Sequence, residues 1–466
     1  MINQPFMNHY LRAVVIALLL VPGAMCAQSP ANVTPVVSFS GPNGNTPYAG
    51  LLQSTDGNFY GTTYRGGAFG FPFGLGTVFK LTTNGLLTTL ASFNATNGAK
   101  PFAGLIQHPD GNLYGTTSEG GTNGIGTIFR ITTNGLLTSL YSFTTNSGGN
   151  PSARLTLGSD GALYGTAQLG GSKDQGTIFR TTTNGSLTIL VSLGDTNGSV
   201  PYAELLQATD GHLYGTTTAG GAWNLGTVFR VTTSGAFTVL MSFDGTNGAK
   251  PYGGLIQETG GSLYGTTTYG GPNDSGTVFR ITTNGSFQTL HYFMGDPDGA
   301  YPRATLLRGN DGFLYGTTIL GGTSDINGAW GTVFQISTNG LFASLATFHF
   351  DANGISPYGG IVQDASGSLY TTTSSQGTGL RGTVVRLNPG QPFLEASRGS
   401  ANTLRVAWNA WLGKSYQLQS TTNLSPPNWS DLGNVFTATN SQIAITNSTL
   451  PGSSRFHRVK LLLPSP

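Results

Sequence analysis

Hydrolytic or metal chemistry in this 466-residue chain would have to start from its 19 acidic residues and six histidines. Asp56, Asp110, Asp160, Asp210 and Asp311 each stand directly before Gly at one recurring place. An Asp there closes a turn on its own backbone, which accounts for these five without a catalytic role. His9 lies near the N-terminus, and His108, His212, His291, His349 and His457 occupy unrelated places. No HxxH pair, GxSxG elbow, phosphate-binding loop or paired-carboxylate pattern appears. Cys26 is the single cysteine, so a mature chain cut near it has no Cys nucleophile or Cys metal ligand. The stretches GDTNG (194–198), DGTNG (244–248), GDPDG (295–299) and DANG (351–354) offer few carboxylates each. Calcium asks for roughly six to eight oxygens, so these read as turns. The expectation is no catalytic set, no metal and no cofactor.

The elements that would position any site come from an internal repeat. Tyr60, Tyr114, Tyr164, Tyr214, Tyr264, Tyr315 and Tyr370 sit in variants of LYGTT, and GTVF, GTIF or GTVV follows each. Repeat 4 shows the plan: PYAELLQ (201–207), HLYGTTT (212–218), TVFRVTT (227–233) and AFTVLMSF (236–243), separated by Gly-rich turns. Asp-Gly and Asn-Gly supply the positive-φ residues of tight hairpins, so each repeat reads as a four-stranded antiparallel meander. A lone meander cannot bury both faces, and neighbours must stack. The expected fold is all-β: a seven-bladed β-propeller over 34–390, with an open solenoid as the alternative. Repeats fall near 47–93, 101–143, 151–193, 201–243, 251–293, 302–348 and 357–388. The seventh stops at Pro389-Gly390 without a fourth strand. TPVVSFSG (34–41) matches a fourth-strand ending and is expected to fill that place, closing the ring.

Only 9% of residues are charged and the net charge is +2, which excludes the basic stripe of a nucleic-acid binder. Gly numbers 71, suiting turns and close-packed strands. Arg12, the apolar run 13–21 and PGAMCAQS form the three parts of a signal peptide, expected over 1–27 with cleavage after Cys26 or Ala27. Met25 before Cys26 argues against lipidation. No membrane span is expected in the mature chain, and it is read as a monomer exported to the medium or outer cell surface.

Two groups of residues break the repeat and are the candidate ligand sites. The long loops, from strand four to strand one and from strand two to strand three, share one face. They carry Phe69, Phe71, Phe73, Trp223 and Trp330, with Asp174, Asp274 and Asp325 among them. Aromatics beside polar groups suit a sugar or peptide. Near the axis, Arg154 and Glu204 replace a Gly, and Arg303 replaces an aromatic. Gln53, Gln107, Gln207, Gln257 and Gln363 recur three residues after that Gly place, so a hydrated channel with a local ion pair is expected. The leading reading is a non-enzymatic binding or scaffold propeller for a carbohydrate or surface polymer. A polysaccharide hydrolase or lyase using Asp174 or Asp274, and a purely structural surface repeat, are the alternatives.

The LYGTT…GG…GTVF…TTNG repeat resembles the GloVer tandem-repeat family of "choice-of-anchor" exported bacterial proteins. That resemblance implies export and surface display or secretion, and no reaction. The Gly-Gly after the second strand is kelch-like, without the Tyr and Trp that follow it in kelch. Residues 391–466 differ in composition and carry Trp408, Trp411 and Trp429. YQLQSTTNL…NW…RFHRV is similar to the fibronectin-III-like β-sandwich modules ending many verrucomicrobial secreted proteins, with His457 where Tyr is common.

Overall fold

The computed structural model describes residues 32–70, 72–194, 196–324, 326 and 328–388, and six strands between Leu394 and Leu462. The signal-peptide reading of 1–27, Phe71, Asp325 and the side chains of Trp408, Trp411, Trp429 and His457 lie outside what is described. The described chain is all-β, without a helix. It forms two compact units, one holding seven sheets and one holding the strands from Leu394 onward.

Each repeat folds as its hairpin turns dictate, with its strands side by side in sequence order. In repeat 1 these are Leu52–Gln53, Phe59–Thr63, Thr77–Leu81 and Leu87–Ser92. Repeat 6 adds Ala300–Pro302, which pairs with its second strand. Repeat 7 supplies only three strands, and Asn32–Ser38 pairs with Thr383–Asn388 as the fourth. Its register copies the true fourth strands. Ser38 faces Thr383 as Ser92 faces Thr77, and both ladders bulge two residues further along. Phe39 then donates to the Gly382 carbonyl as Phe93 does to that of Gly76. The Phe39 ring meets Phe79 of repeat 1 at 5.2 Å, as Phe93 meets Phe129 of repeat 2 at 5.1 Å.

The LYGTT motif explains itself residue by residue. The second strand is buried throughout, so its Thr hydroxyls need partners inside the protein. The first Thr reaches the next repeat: Thr62 donates to the Ala103 carbonyl, Thr116 to Ala153, Thr166 to Ala203 and Thr216 to Gly253. Thr266 donates to Ala304, Thr317 to Gly359, and Thr372 of repeat 7 to Ala49 of repeat 1. The second Thr binds within its own repeat, as in Thr63 with Thr77 at 2.8 Å. Apolar clusters lie between consecutive repeats. Tyr60, Val78 and Phe93 pack on Leu105, Leu113 and Phe129, while Phe39, Phe59 and Phe79 pack on Tyr370 and Val384.

The Gly of YGT lies opposite the Phe of GTVF in six repeats, as in Gly165 with Phe179. A Cβ on Gly165 would come within 2.5 Å of that ring and 2.9 Å of Leu155. In repeat 7 the pair becomes Thr371 opposite Val385, so a larger residue on one strand matches a smaller one on the other. The six C-terminal strands form two antiparallel three-stranded sheets, with Tyr416 and Leu418 buried.

Gly165→Ala is expected to cost about 1–3 kcal/mol by overpacking, read from denaturant midpoints. Val385→Phe should destabilise similarly, and adding Thr371→Gly should recover most of the loss. Equal stability of the single and double variants would contradict this pairing.

Candidate functional site

The segments leading into the first strands of all seven repeats line one cavity of ≈ 540 Å³. The residue after each inter-repeat Pro forms a collar around it: Tyr48, Phe102, Ser152, Tyr202, Tyr252, Arg303 and Tyr358. Tyr358, Tyr48 and Phe102 follow one another at centroid spacings of 4.9 Å. Ser152 is small enough that Phe102 meets Tyr202 directly, at 5.4 Å. Tyr202 meets Tyr252 at 4.9 Å. Arg303 closes the circuit, its guanidinium 4.3 Å from the Tyr252 centroid and 5.5 Å from that of Tyr358. Five aromatic faces and one cation therefore surround the axis, each half-buried. Burial, the largest influence, raises the pKa of the Tyr202 hydroxyl against the opposing pull of Arg303, and burial likewise raises Tyr48. Both hydroxyls are neutral donors at ordinary pH.

The next layer carries the charges. Here the chain segments approach closely, and Gly50, Gly104, Gly254 and Gly360 stand at this place: a Cβ on Gly50 would lie 2.8 Å from the Gly360 carbonyl oxygen. Arg154 and Glu204 break this pattern and both line the cavity. The expected ion pair between them is absent from the described contacts, and neither bonds to another described side chain. Glu204 instead leans across Gly254, its Cγ 2.8 Å from where a Cβ there would stand. The Nε atoms of Arg154 and Arg303 are buried without a hydrogen-bond partner. Thr156, where most repeats carry an aliphatic residue, donates to the Leu205 carbonyl.

The glutamines do not form the polar channel wall expected of them. Three of their carboxamides clamp one repeat to the previous one: Gln107 accepts from the Thr55 amide, Gln207 from Ser159 and Gln257 from Thr209, while Gln363 donates to Gly367 of its own repeat. Repeat 6 has Arg308 at this place, and it pairs with Glu258 of repeat 5 at 2.8 Å.

The loop residues are spread over separate repeats, and none of the described ones lines the cavity. Trp223 is 66% exposed and Trp330 is 39% exposed. Asp174 accepts from the Gly170 amide and Asp274 from the Gly270 amide, each closing its own loop. Asn224 does the same for Gly220 in the repeat between them, so the job needs no charge. The two loop sets do share one end of the sheets, through pairings such as Asn45 with Arg65 and Ala99 with Glu119. The collar opens at that end, where Tyr64 packs on Tyr48 and Phe102. The collar brings together residues that the loops do not, and its signal in the sequence is the recurrent aromatic after Pro.

The match to known families decides the relationship. The Gloeobacter/Verrucomicrobia repeat matches residues 23–157, 134–329 and 260–422. The chain belongs to that family. Among solved structures, this Gloeobacter/Verrucomicrobia repeat protein is similar to the extracellular domain of a putative hybrid two-component system from B. thetaiotaomicron. Identity is 12% and the TM-score 0.51, covering 93% of this chain and 56% of that one. The likeness is one of fold. A putative 6-phosphogluconolactonase from Bacteroides fragilis is similar at 13% identity and TM-score 0.44, covering 85% of this chain and 97% of that one. The periplasmic gluconolactonase of Pseudomonas aeruginosa is similar at 15% and 0.44, covering 85% and 98%. No curated protein matches. No described helix is long and apolar enough to cross a membrane.

The turn aspartates carry the pH dependence of the repeats. Burial acts to raise the Asp110 pKa, but bonds from the Tyr114 hydroxyl and the Asn112 amide outweigh it and hold it at about 2, against an ordinary 3.8. Asp56, Asp160 and Asp210 shift the same way. A depressed carboxyl stabilises the fold above its ordinary pKa, and that contribution is lost as pH falls toward the folded value. Thermal stability should therefore drop as pH falls from 3.8 to about 2. Asp110→Asn should be less stable at neutral pH and show a shallower acid slope; an unchanged slope would contradict the assignment.

Proposed function

We propose that this is an exported, non-enzymatic binding protein, a closed seven-bladed β-propeller followed by a small β-sandwich. Its axial cavity receives the end of a carbohydrate or surface polymer. The observation that carries the reading is the cavity itself: five aromatic faces around the mouth, with Arg154 and Glu204 unpaired beneath. Such a mixture of apolar walls and a few convergent polar groups is the usual make-up of a ligand pocket. Export is supported by the signal-like sequence at the N-terminus. Ring closure is supported by the Thr372 bond to Ala49 and by the N-terminal strand, which packs between repeats 7 and 1. A hydrolase in this cavity finds less support, because Glu204 is the single carboxylate among the described cavity-lining residues and paired-carboxylate glycoside hydrolysis needs two.

The mature chain applied to a glycan array should bind, and Tyr48→Ala with Tyr202→Ala should abolish binding while the fold persists. Absence of binding, together with activity in a polysaccharide-degradation screen, would overturn the reading. Removing residues 32–41 should lower the thermal midpoint and expose repeats 1 and 7 to hydrogen exchange. An unchanged midpoint would contradict ring closure.

A further inference from the structure

We infer that the cavity selects a carboxylate-bearing sugar, a uronate, and that Arg154 is the residue that recognises it; this rests on the binding reading above. Four departures from the repeat converge on one side of the axis. Repeat 3 carries Ser152, Arg154 and Thr156 where its neighbours carry aromatic, Gly and aliphatic residues, and repeat 4 carries Glu204 in place of Gly. The scaffold has no need of charge there. Repeats 1, 2 and 7 use Gly50, Gly104 and Gly360, and their backbones pack directly on one another.

A charge placed in this narrow layer loses hydration and is costly unless something else meets it. Arg154 has no carboxylate partner among the described residues, and the Glu204 stem lies beside Gly254 of the following repeat. Arg303 is already engaged by Tyr252 and Tyr358 in the collar above. Arg154 is thus the uncompensated cation facing the cavity, and its planar fork fits a carboxylate with two parallel hydrogen bonds. Glu204, on the adjacent repeat, accepts hydroxyl donors. The collar faces supply apolar walls for a pyranose ring. The combination of cation, hydroxyl acceptor and aromatic walls matches an acidic sugar and matches a neutral one less well.

The test is calorimetric titration of the mature full-length protein with galacturonate, glucuronate and mannuronate disaccharides and their neutral counterparts. At least one acidic disaccharide should bind about tenfold or more tightly than its neutral match. Arg154→Met should erase that preference with the thermal midpoint held or raised, since an unmet charge is removed, and Arg154→Lys should keep part of the preference. Equal binding of acidic and neutral sugars, or a preference that survives in Arg154→Met, overturns the assignment of Arg154 while leaving carbohydrate binding in place. Failure of every disaccharide to bind overturns the uronate assignment, and failure on the glycan array as well overturns the binding reading beneath it.

Discussion

The close approach of the first strands constrains everything else in the seven-sheet unit. One Thr of each second strand bonds to a carbonyl of the next repeat, from Thr62 with Ala103 through to Thr372 with Ala49. That bond holds neighbouring backbones so near that Gly and Ala fill most of the places between them. The same approach aligns Pro101 under Gly76 and Pro47 under Gly382, where a Cβ would meet the proline ring. The repeats are thus tied at the axis by hydrogen bonds and further out by Phe and Tyr packing. A residue with a long side chain at the axis stands out against this requirement.

The proposed function rests on those exceptions. The collar aromatics pack on one another around the cavity, each two residues before the tight position of its own repeat. Arg154 and Glu204 sit in the tight layer, and Gly254 provides the space that Glu204 uses. The loop aspartates show the opposite logic. Asp174, Asn224 and Asp274 perform one structural bond in three successive repeats, so their charge is incidental to the loop.

The strand plan was legible in the sequence because turns, periodicity and strand counting are local signals. Counting also found the partner of the N-terminal strand, since a missing fourth strand and an extra ending strand are complementary. The structure placed it at Asn32–Ser38, slightly before the sequence estimate of 34–41. The glutamine ring was misread for a different reason. Its partners lie in the preceding repeat, as for Gln107 with Thr55, and nothing local marks a bond over that separation. Arg154 and Glu204 were expected to pair because they occupy equivalent places in adjacent repeats. The structure instead sets the Glu204 stem beside Gly254 of the following repeat, which is a property of packing. Phe102 meeting Tyr202 across Ser152 was hidden likewise, because a small residue leaves no trace of what closes over it.

The most direct measurement is a crystal structure of the mature protein with a bound acidic oligosaccharide. The account predicts sugar density inside the axial cavity, ringed by Tyr48, Phe102, Tyr202 and Tyr358, with a carboxylate on Arg154. Density confined to the exposed loops, such as that carrying Trp223, with the cavity holding only water, would contradict it.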